Sequence, residues 1–503
     1  MRKFCTVMEN PYDQVIYQSA PFPQAHINRL ASMAMLLGLE PPDIASCRVL
    51  ELGCGEGAHL IPMALAFPDS QFVGIDLAER PIARANEIAA ELEIGNVSFK
   101  VADVMQLNGQ PGECDYLIAH GLYSWVPVPV QERILELYGR LLAARGVGYI
   151  SYNAYPAWHV REMTRNIVRM HTAGISDPAE IRSRAIALLA SIFRSQNDRE
   201  PYREATRAEM ERIIAKDAYL CFHDDFGEFN NPVYFSELIR RAAAQGLQYL
   251  AEAEPTDLQH PDFAPDVREA LAAITDPVER EQYFDFLTCR GFRRTLICHD
   301  DVVLDRTIPL DRVKMLNYSA AVKCASPIPD LVTFAPAEFV AQTGASITVI
   351  QPFVKVVLHE LSRAYPGSLT FGFLLEKARS VAPLLNTADA ESMLREVLLR
   401  MHAPGILDMS IAPYRYPSRP AEKPVASRLA RMQLRNGVRA TSLRHKAVDI
   451  DDALARTLFP LLDGTRGVQD LLRDAEPVAG RELNQAEIER SLTRLNELAL
   501  LEA

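Results

Sequence analysis

Residues 49–57 read Val49-Leu50-Glu51-Leu52-Gly53-Cys54-Gly55-Glu56-Gly57, and Val73-Gly74-Ile75-Asp76 follows one helix-length later. The apolar stretch 48–52 predicts a buried strand that ends in a glycine-rich turn. Residues 58–67 predict a helix, Pro68-Asp69 stops it, and a second apolar strand closes on an acid. The sum is a β-turn-α-β unit suited to an adenosine-containing ligand. Its glycines let backbone approach the ligand closely, and Asp76 is placed to accept hydrogen bonds from ribose hydroxyls.

Two kinds of cofactor fit such a unit. Gly53-x-Gly55-x-x-Ala58 satisfies a loose dinucleotide fingerprint. Glu51 argues against it, because a carboxylate two residues before the first glycine would repel a pyrophosphate. The run Glu51-x-Gly53-x-Gly55-x-Gly57 resembles motif I of class I S-adenosylmethionine (AdoMet) methyltransferases. That resemblance implies that Glu51 helps hold the methionine end of the cofactor. It also implies that Asp103, after the third strand (residues 96–101), takes the adenine amino group. The expected cofactor set is Glu51, Gly53, Cys54, Gly55, Gly57, Asp76, Leu77, Asp103, Val104 and His120. The bland alternative for Asp103 is a surface turn acid.

Residues 114–119 predict a fourth strand that runs into His120-Gly121-Leu122-Tyr123-Ser124-Trp125-Val126-Pro127. Residues 147–152 predict a fifth, followed by Asn153-Ala154-Tyr155-Pro156-Ala157-Trp158-His159. Ligands of open α/β sheets bind beyond the carboxyl ends of the strands, so these segments face an approaching acceptor. By position, His120, Tyr123, Asn153 and Tyr155 are the catalytic candidates, while Tyr17, Trp125, Trp158 and His159 are candidates for substrate contact. Simple packing under a loop is the competing reading for the two tryptophans.

A chain of 503 residues is too long for one core, so several domains are expected. Hydrophobic residues make up 48% and charged residues 23%, the balance of a soluble globular protein. No apolar run reaches the length of a membrane span, and residues 1–10 lack a signal-peptide core. Eight cysteines without paired spacing read as reduced thiols, which points to a cytoplasmic protein. The net charge of −12 argues against nonspecific nucleic-acid binding by the whole chain. One stretch departs from it: residues 415–446 carry nine Lys/Arg against Glu422. The expected reading is a solvated basic face behind a Pro-rich linker.

The organisation expected is a helical cover over 1–45, an AdoMet-binding Rossmann-like core over 46–156 and a helical insertion over 157–232 that serves dimerisation. Residues 233–305 would complete a seven-stranded sheet, with strand six at 247–253 and strand seven at 293–299. Two small winged-helix-like α+β domains, 306–413 and 425–503, would follow, joined by a linker over 414–424. His223-Asp224-Asp225 and His299-Asp300-Asp301 carry metal-type ligands but no paired Cys/His spacing, so no metal is expected.

Several stretches together resemble bacterial methyltransferases that carry a methyltransferase regulatory domain, whose best understood members are rickettsial protein-lysine methyltransferases. They are residues 12–26, the glycine loop, 120–127, 151–159, 231–235, 282–286 and 462–466. The resemblance covers nearly the whole chain and implies AdoMet as cofactor, a homodimer and a protein acceptor. Here Ala25-His26-Ile27 replaces the family's Thr-His-Pro, and Ala157 replaces a glycine beside the acceptor segment. The leading expectation is therefore protein-lysine N-methylation. Methylation of a small molecule is the alternative, and a noncatalytic AdoMet sensor that binds nucleic acid is the third reading.

Overall fold

The structure, a computed structural model, describes residues 13, 17, 19–108, 112–175, 177–195, 201–216, 221–225, 227–254, 263–327, 329–342, 344, 346–435 and 437–502. After helix α1 (Ile27–Leu36) the chain alternates strands and helices. These are β1 (Arg48–Leu52), α2 (Leu60–Ala66), β2 (Gln71–Asp76), α3 (Glu79–Glu91), β3 (Val97–Val101), β4 (Cys114–Ala119), α4 (Val128–Leu141) and β5 (Leu142–Asn153). Three helices, α5 (Trp158–His171), α6 (Pro178–Ser195) and α7 (Pro201–Ala215), interrupt the alternation. It resumes with α8 (Phe235–Ala243), β6 (Leu247–Glu252), α9 (Pro265–Ala273), α10 (Pro277–Thr288) and β7 (Phe292–His299).

The seven strands form one sheet in the order β3-β2-β1-β4-β5-β7-β6. β1 lies inside the sheet with both its faces covered, which a continuous Val-Leu-x-Leu run permits. It pairs parallel with β2 (Glu51 opposite Gly74) and with β4 (Glu51 opposite Ile118). The order reverses direction at β1/β4, and a crevice opens beyond their carboxyl ends. β7 runs antiparallel between β5 and β6. A buried charge cluster fixes it there. Arg293, with no exposed surface, reaches Asp285 on α10 at 2.8 Å and Glu252 on β6 at 2.7 Å, and it lies 3.9 Å from the centre of the Phe235 ring. Arg293 thus ties α10, β6 and α8 together, which explains how a strand so far along the chain still closes the sheet.

The inserted helices build a small core of their own around Val168, Ala185, Leu189 and Met210. The two His-Asp-Asp clusters have other work. Lys216 contacts Asp224 at 3.2 Å and Asp225 at 3.1 Å, and His299 Nε2 bonds the Leu142 carbonyl at 2.8 Å.

The middle region contains α11 (Leu310–Lys314), β8 (Asn317–Ser319), β9 (Val322–Cys324), β10 (Ala337–Ala341), β11 (Ser346–Val349) and α12 (Pro352–Ala364). It continues with β12 (Leu369–Thr370), α13 (Phe371–Ser380), α14 (Thr387–His402) and β13 (Asp408–Ser410). Two three-stranded sheets result, β11-β10-β9 and β12-β8-β13. Their apolar faces join the same continuous core as α1 and one face of the large sheet. The last region holds α15 (Arg428–Gln433), β14 (Arg439–Thr441), β15 (Ala447–Asp449), α16 (Ala453–Leu458), α17 (Val468–Ala479) and α18 (Gln485–Glu497) around a separate core.

Of the nine cations expected on a solvated face, Arg415, Arg419, Lys423, Arg428, Arg435, Arg439 and Lys446 are exposed; Arg444 departs from that expectation. Arg444 is buried, bonded to Ser319 Oγ at 2.7 Å and Asp408 at 3.0 Å, with its guanidinium 3.6 Å from the centre of the Tyr414 ring. Burial of a guanidinium is tolerable because an acid and an aromatic face compensate it. The Pro-rich segment is docked as well, since Asn496 donates to the Pro417 carbonyl at 3.0 Å.

Candidate functional site

The glycine turn sits at the carboxyl end of β1. Gly53, Gly55 and Gly57 adopt φ of +76°, +51° and +73°, the left-handed region that favours glycine. Space enforces the same choice: a Cβ on Gly57 would stand 2.5 Å from the Phe99 ring. Asp76 at the end of β2 clamps the turn, one carboxylate oxygen accepting the Gly55 N–H and the other the Ala78 N–H, each at 2.9 Å. A carboxylate has lone pairs beyond those two, so Asp76 keeps acceptor capacity toward the crevice. Burial raises its pKa, and backbone N–H groups of Ala78, Gly55 and Leu77 pull the other way.

Glu51 lies under the turn. Only 3% of it is exposed, and its Oε2 has no hydrogen-bond partner. Burial first, and the nearby Asp76 second, push its pKa up to about 8. An unpaired buried carboxylate is costly, so a cationic group is the natural complement of this atom. An AdoMet amino group has that chemistry. At the ends of β2 and β3 the side chains Leu77, Val101 and Met105 are 60%, 47% and 44% exposed, an apolar surface that suits an adenine ring. Asp103, also there, accepts the Met105 N–H at 2.9 Å, and Val104 follows it. The residues present therefore fit the cofactor.

A segment preceding α1, within the stretch 1–45 expected as a helical cover, straps over the turn without helical structure at 19–22. Ser19 Oγ accepts the Glu56 N–H at 3.4 Å, and a Cβ on Gly55 would approach that oxygen to 2.7 Å. Phe22 stacks on His120 with ring centres 3.6 Å apart, and its N–H reaches His59 Nδ1 at 3.4 Å. His120, at the end of β4, also bonds Tyr149 through Nδ1 at 2.9 Å. Enclosure between Phe22 and Tyr149 lowers its pKa to about 3, burial being the main cause, so the imidazole is neutral at physiological pH.

The acceptor-side candidates gather in part. Tyr155 and His159 stack at 4.1 Å, Tyr155 donates to Glu162 at 3.0 Å, and His159 Nε2 bonds Tyr234 at 3.0 Å. Trp125 meets Trp158 edge to face at 6.1 Å. Asn153 is held by Asn230 through Nδ2 at 2.9 Å and by Ser124 Oγ through its N–H at 2.8 Å. Asn230, Ser124, Glu162 and Tyr234 were not singled out from sequence for a role; only their adjacency to named residues could have flagged them. Tyr123 stands apart. It is wholly buried against Tyr152, and burial pushes its phenol up to about 12. Tyr17 reaches the insertion instead, edge to face with His223 at 5.6 Å. Tyr12 lies outside the described residues.

This sheet order, with a glycine turn after β1 and acids after β2 and β3, defines a class I methyltransferase. Comparison with known proteins agrees. Residues 44–206 match the methyltransferase domain, 216–299 the predicted methyltransferase regulatory domain, and 422–499 the PKMT C-terminal winged helix domain. Two uncharacterized proteins of Rickettsia prowazekii are similar. One is 29% identical over 88% of this chain and 81% of its own, and the other is 32% identical over 48% and 96%. The solved structure of PKMT2 from Rickettsia typhi in complex with AdoHcy is 25% identical with a TM-score of 0.87, covering 97% of this chain and 100% of that one. The chain belongs to this family of class I AdoMet-dependent methyltransferases that carry a regulatory domain and a PKMT-type winged helix.

Proposed function

We propose that the chain is a protein-lysine N-methyltransferase that works in the cytoplasm as a homodimer. The observation that carries the lysine acceptor is likeness over the whole chain, middle and C-terminal regions included, to PKMT2. AdoMet would supply an electrophilic methyl group, open to in-line attack by an acceptor nitrogen, with the sulfur leaving as a neutral thioether. The protein's share is orientation and desolvation. In this reading Glu51 and the turn Gly53–Gly57 hold the amino-acid end, Asp76 the ribose and Asp103 the adenine. Leu77, Val104 and the backbone at Cys54 line the slot, and Phe22 on His120 closes it.

A lysine ammonium has a reference pKa of about 10.4 and must lose a proton before it attacks. His120 is too weak a base to take it, because its pKa is near 3. Tyr155 donates its own proton to Glu162. Proton loss to solvent, favoured by desolvation, therefore accounts for activation. His120 and Asn153 then act by positioning, and Tyr155, Trp125, Trp158 and His159 by packing around the alkyl stem of the acceptor.

The test is transfer of labelled methyl from AdoMet into an extract of the host. Label in a discrete protein band, lost with Asp76→Ala, supports the reading, and label confined to small molecules refutes it. For the dimer, the inserted helices offer the exposed apolar side chains Met163, Met170 and Ile214. Light scattering at micromolar concentration should give twice the chain mass, and a monomer mass contradicts it.

A further inference from the structure

Away from the methyl-transfer crevice, a cleft of about 690 Å³ opens where the middle and last regions meet. Three segments line it: β9 and β10 with the end of α12, the docked segment near Ser418, and α18. Its charge is one-sided. Lys323, Arg363, Arg419 and Arg494 face a single carboxylate, Glu497, in a chain whose net charge is −12. Glu497 is already engaged, with Lys323 at 2.6 Å and Arg494 at 3.8 Å. Among the described residues Arg363 and Arg419 have no carboxylate partner, and both are exposed. The cleft joins two regions across its width, because Gln342 also donates to the Glu497 carbonyl at 3.1 Å.

We propose that this cleft is a docking site for an acidic polypeptide segment. Guanidinium groups pair with carboxylates through two parallel hydrogen bonds, and two are free here to do so. The lining also includes the half-buried Val340 and Ala341, apolar surface that serves the side chains of a peptide and would be wasted on a bare anion. Lys323 and Arg494 already share Glu497, which leaves Arg363 and Arg419 for an incoming carboxylate. Single-stranded nucleic acid needs rings to stack its bases. The one ring in the lining, Tyr365, already lies beside the Arg444 guanidinium, 5.9 Å from its centre. The site holds a partner away from the reacting centre, so it adds to the proposed methyl transfer without depending on it.

The experiment is fluorescence anisotropy on the full chain, without AdoMet, using a fluorescein-labelled octapeptide that alternates glutamate with small apolar residues. Saturable binding that weakens with added salt is expected. Arg363→Glu with Arg419→Glu should weaken it roughly tenfold or more, since each reversal replaces an attraction by a repulsion. Arg363→Gln with Arg419→Gln should weaken it less, and a thermal scan establishes that each variant is folded. Equal binding by the reversed variant, or no saturable binding by the wild type, overturns the proposal. So does tighter binding of an oligothymidylate of matched charge, or displacement of the peptide by equimolar inorganic phosphate. Because no methyl is transferred in this assay, its failure leaves the enzymatic reading standing, and the reverse also holds.

Discussion

Replacing Glu51 by glutamine separates what the carboxylate costs the protein from what it does for the cofactor. The ordinary pKa is 4.5, and in the fold it is about 8. Between those values the folded state holds a proton that the unfolded chain has released, so stability falls as pH rises through that window. At pH 7 the cost is about 3 kcal/mol, taking about 1.4 kcal/mol for each pH interval above 4.5. The Glu51→Gln variant carries no such cost. Without ligand it should therefore melt several degrees higher than wild type at pH 7, with a flatter dependence on pH between 5 and 8. Cofactor binding should move the opposite way. In the wild type a cationic amino group beside Glu51 drives off its proton, and a carboxyl of pKa near 8 is roughly 90% protonated at pH 7. Calorimetry in two buffers of different ionisation heat should thus show release of close to one proton per AdoMet bound. Glutamine has none to release, and its affinity should drop about tenfold or more, as expected for loss of a charge-assisted bond. Wild-type binding without proton release, or a variant of unchanged affinity, would refute the assignment of Glu51 to the cofactor.

Asp76→Ala removes the acceptor of both the Gly55 and Ala78 N–H groups, so AdoMet affinity by calorimetry should fall at least about tenfold, together with about 1–3 kcal/mol of stability. Gly57→Ala places a methyl 2.5 Å from Phe99 at φ +73°; soluble yield and cofactor binding should both drop, while Gly95→Ala, where no atom lies within 4 Å of the added Cβ, should bind normally. Arg293→Ala leaves Glu252 buried without its cation and Asp285 with Arg290 alone, at 3.3 Å, and a loss of about 3–5 kcal/mol is expected by denaturant titration. Arg293→Lys should recover only part of this, since it cannot reproduce the forked contacts. Finally, kcat/KM toward a lysine peptide should rise with pH above 7 without an inflection near 6.5, because His120 is neutral throughout.

The core of the fold was legible because its signals are local. Val49-Leu50-Glu51-Leu52 is apolar enough to be covered on both faces, and Gly53, Gly55 and Gly57 mark a turn that takes positive φ. Even β6 and β7 could be read as strands from their own residues, although nothing in them shows that Arg293 welds β7 between two neighbours. A cover over 1–45 was expected, but its contacts were not legible, since Phe22 and His120 are far apart in sequence and neither belongs to a periodic pattern. The basic run shows the limit of composition most clearly. Arg439 pairs with Asp449 at 2.7 Å and is about half exposed, whereas Arg444, five residues on, is buried. The two differ only in what the rest of the chain brings to them.

What it brings to Arg444 bears on the architecture as a whole. His445 Nε2 meets His59 Nδ1 at 2.8 Å, although 386 residues separate them, and His59 follows Gly57-Ala58 at the start of α2. Arg444 shares Asp408 with Arg29 of α1, which also reaches Glu254 at 3.2 Å beyond β6. Removing Asp408 would leave Arg444 buried without a carboxylate, which is the costly case for an ion network. The C-terminal winged helix is therefore not a module on a tether. It is keyed into the wall behind the cofactor turn. A ligand held at the edge of that module, as in the basic cleft lined by α18, sits on a body continuous with the glycine loop, and rigid continuity of this kind can hold a long polypeptide in fixed register with a distant reacting centre.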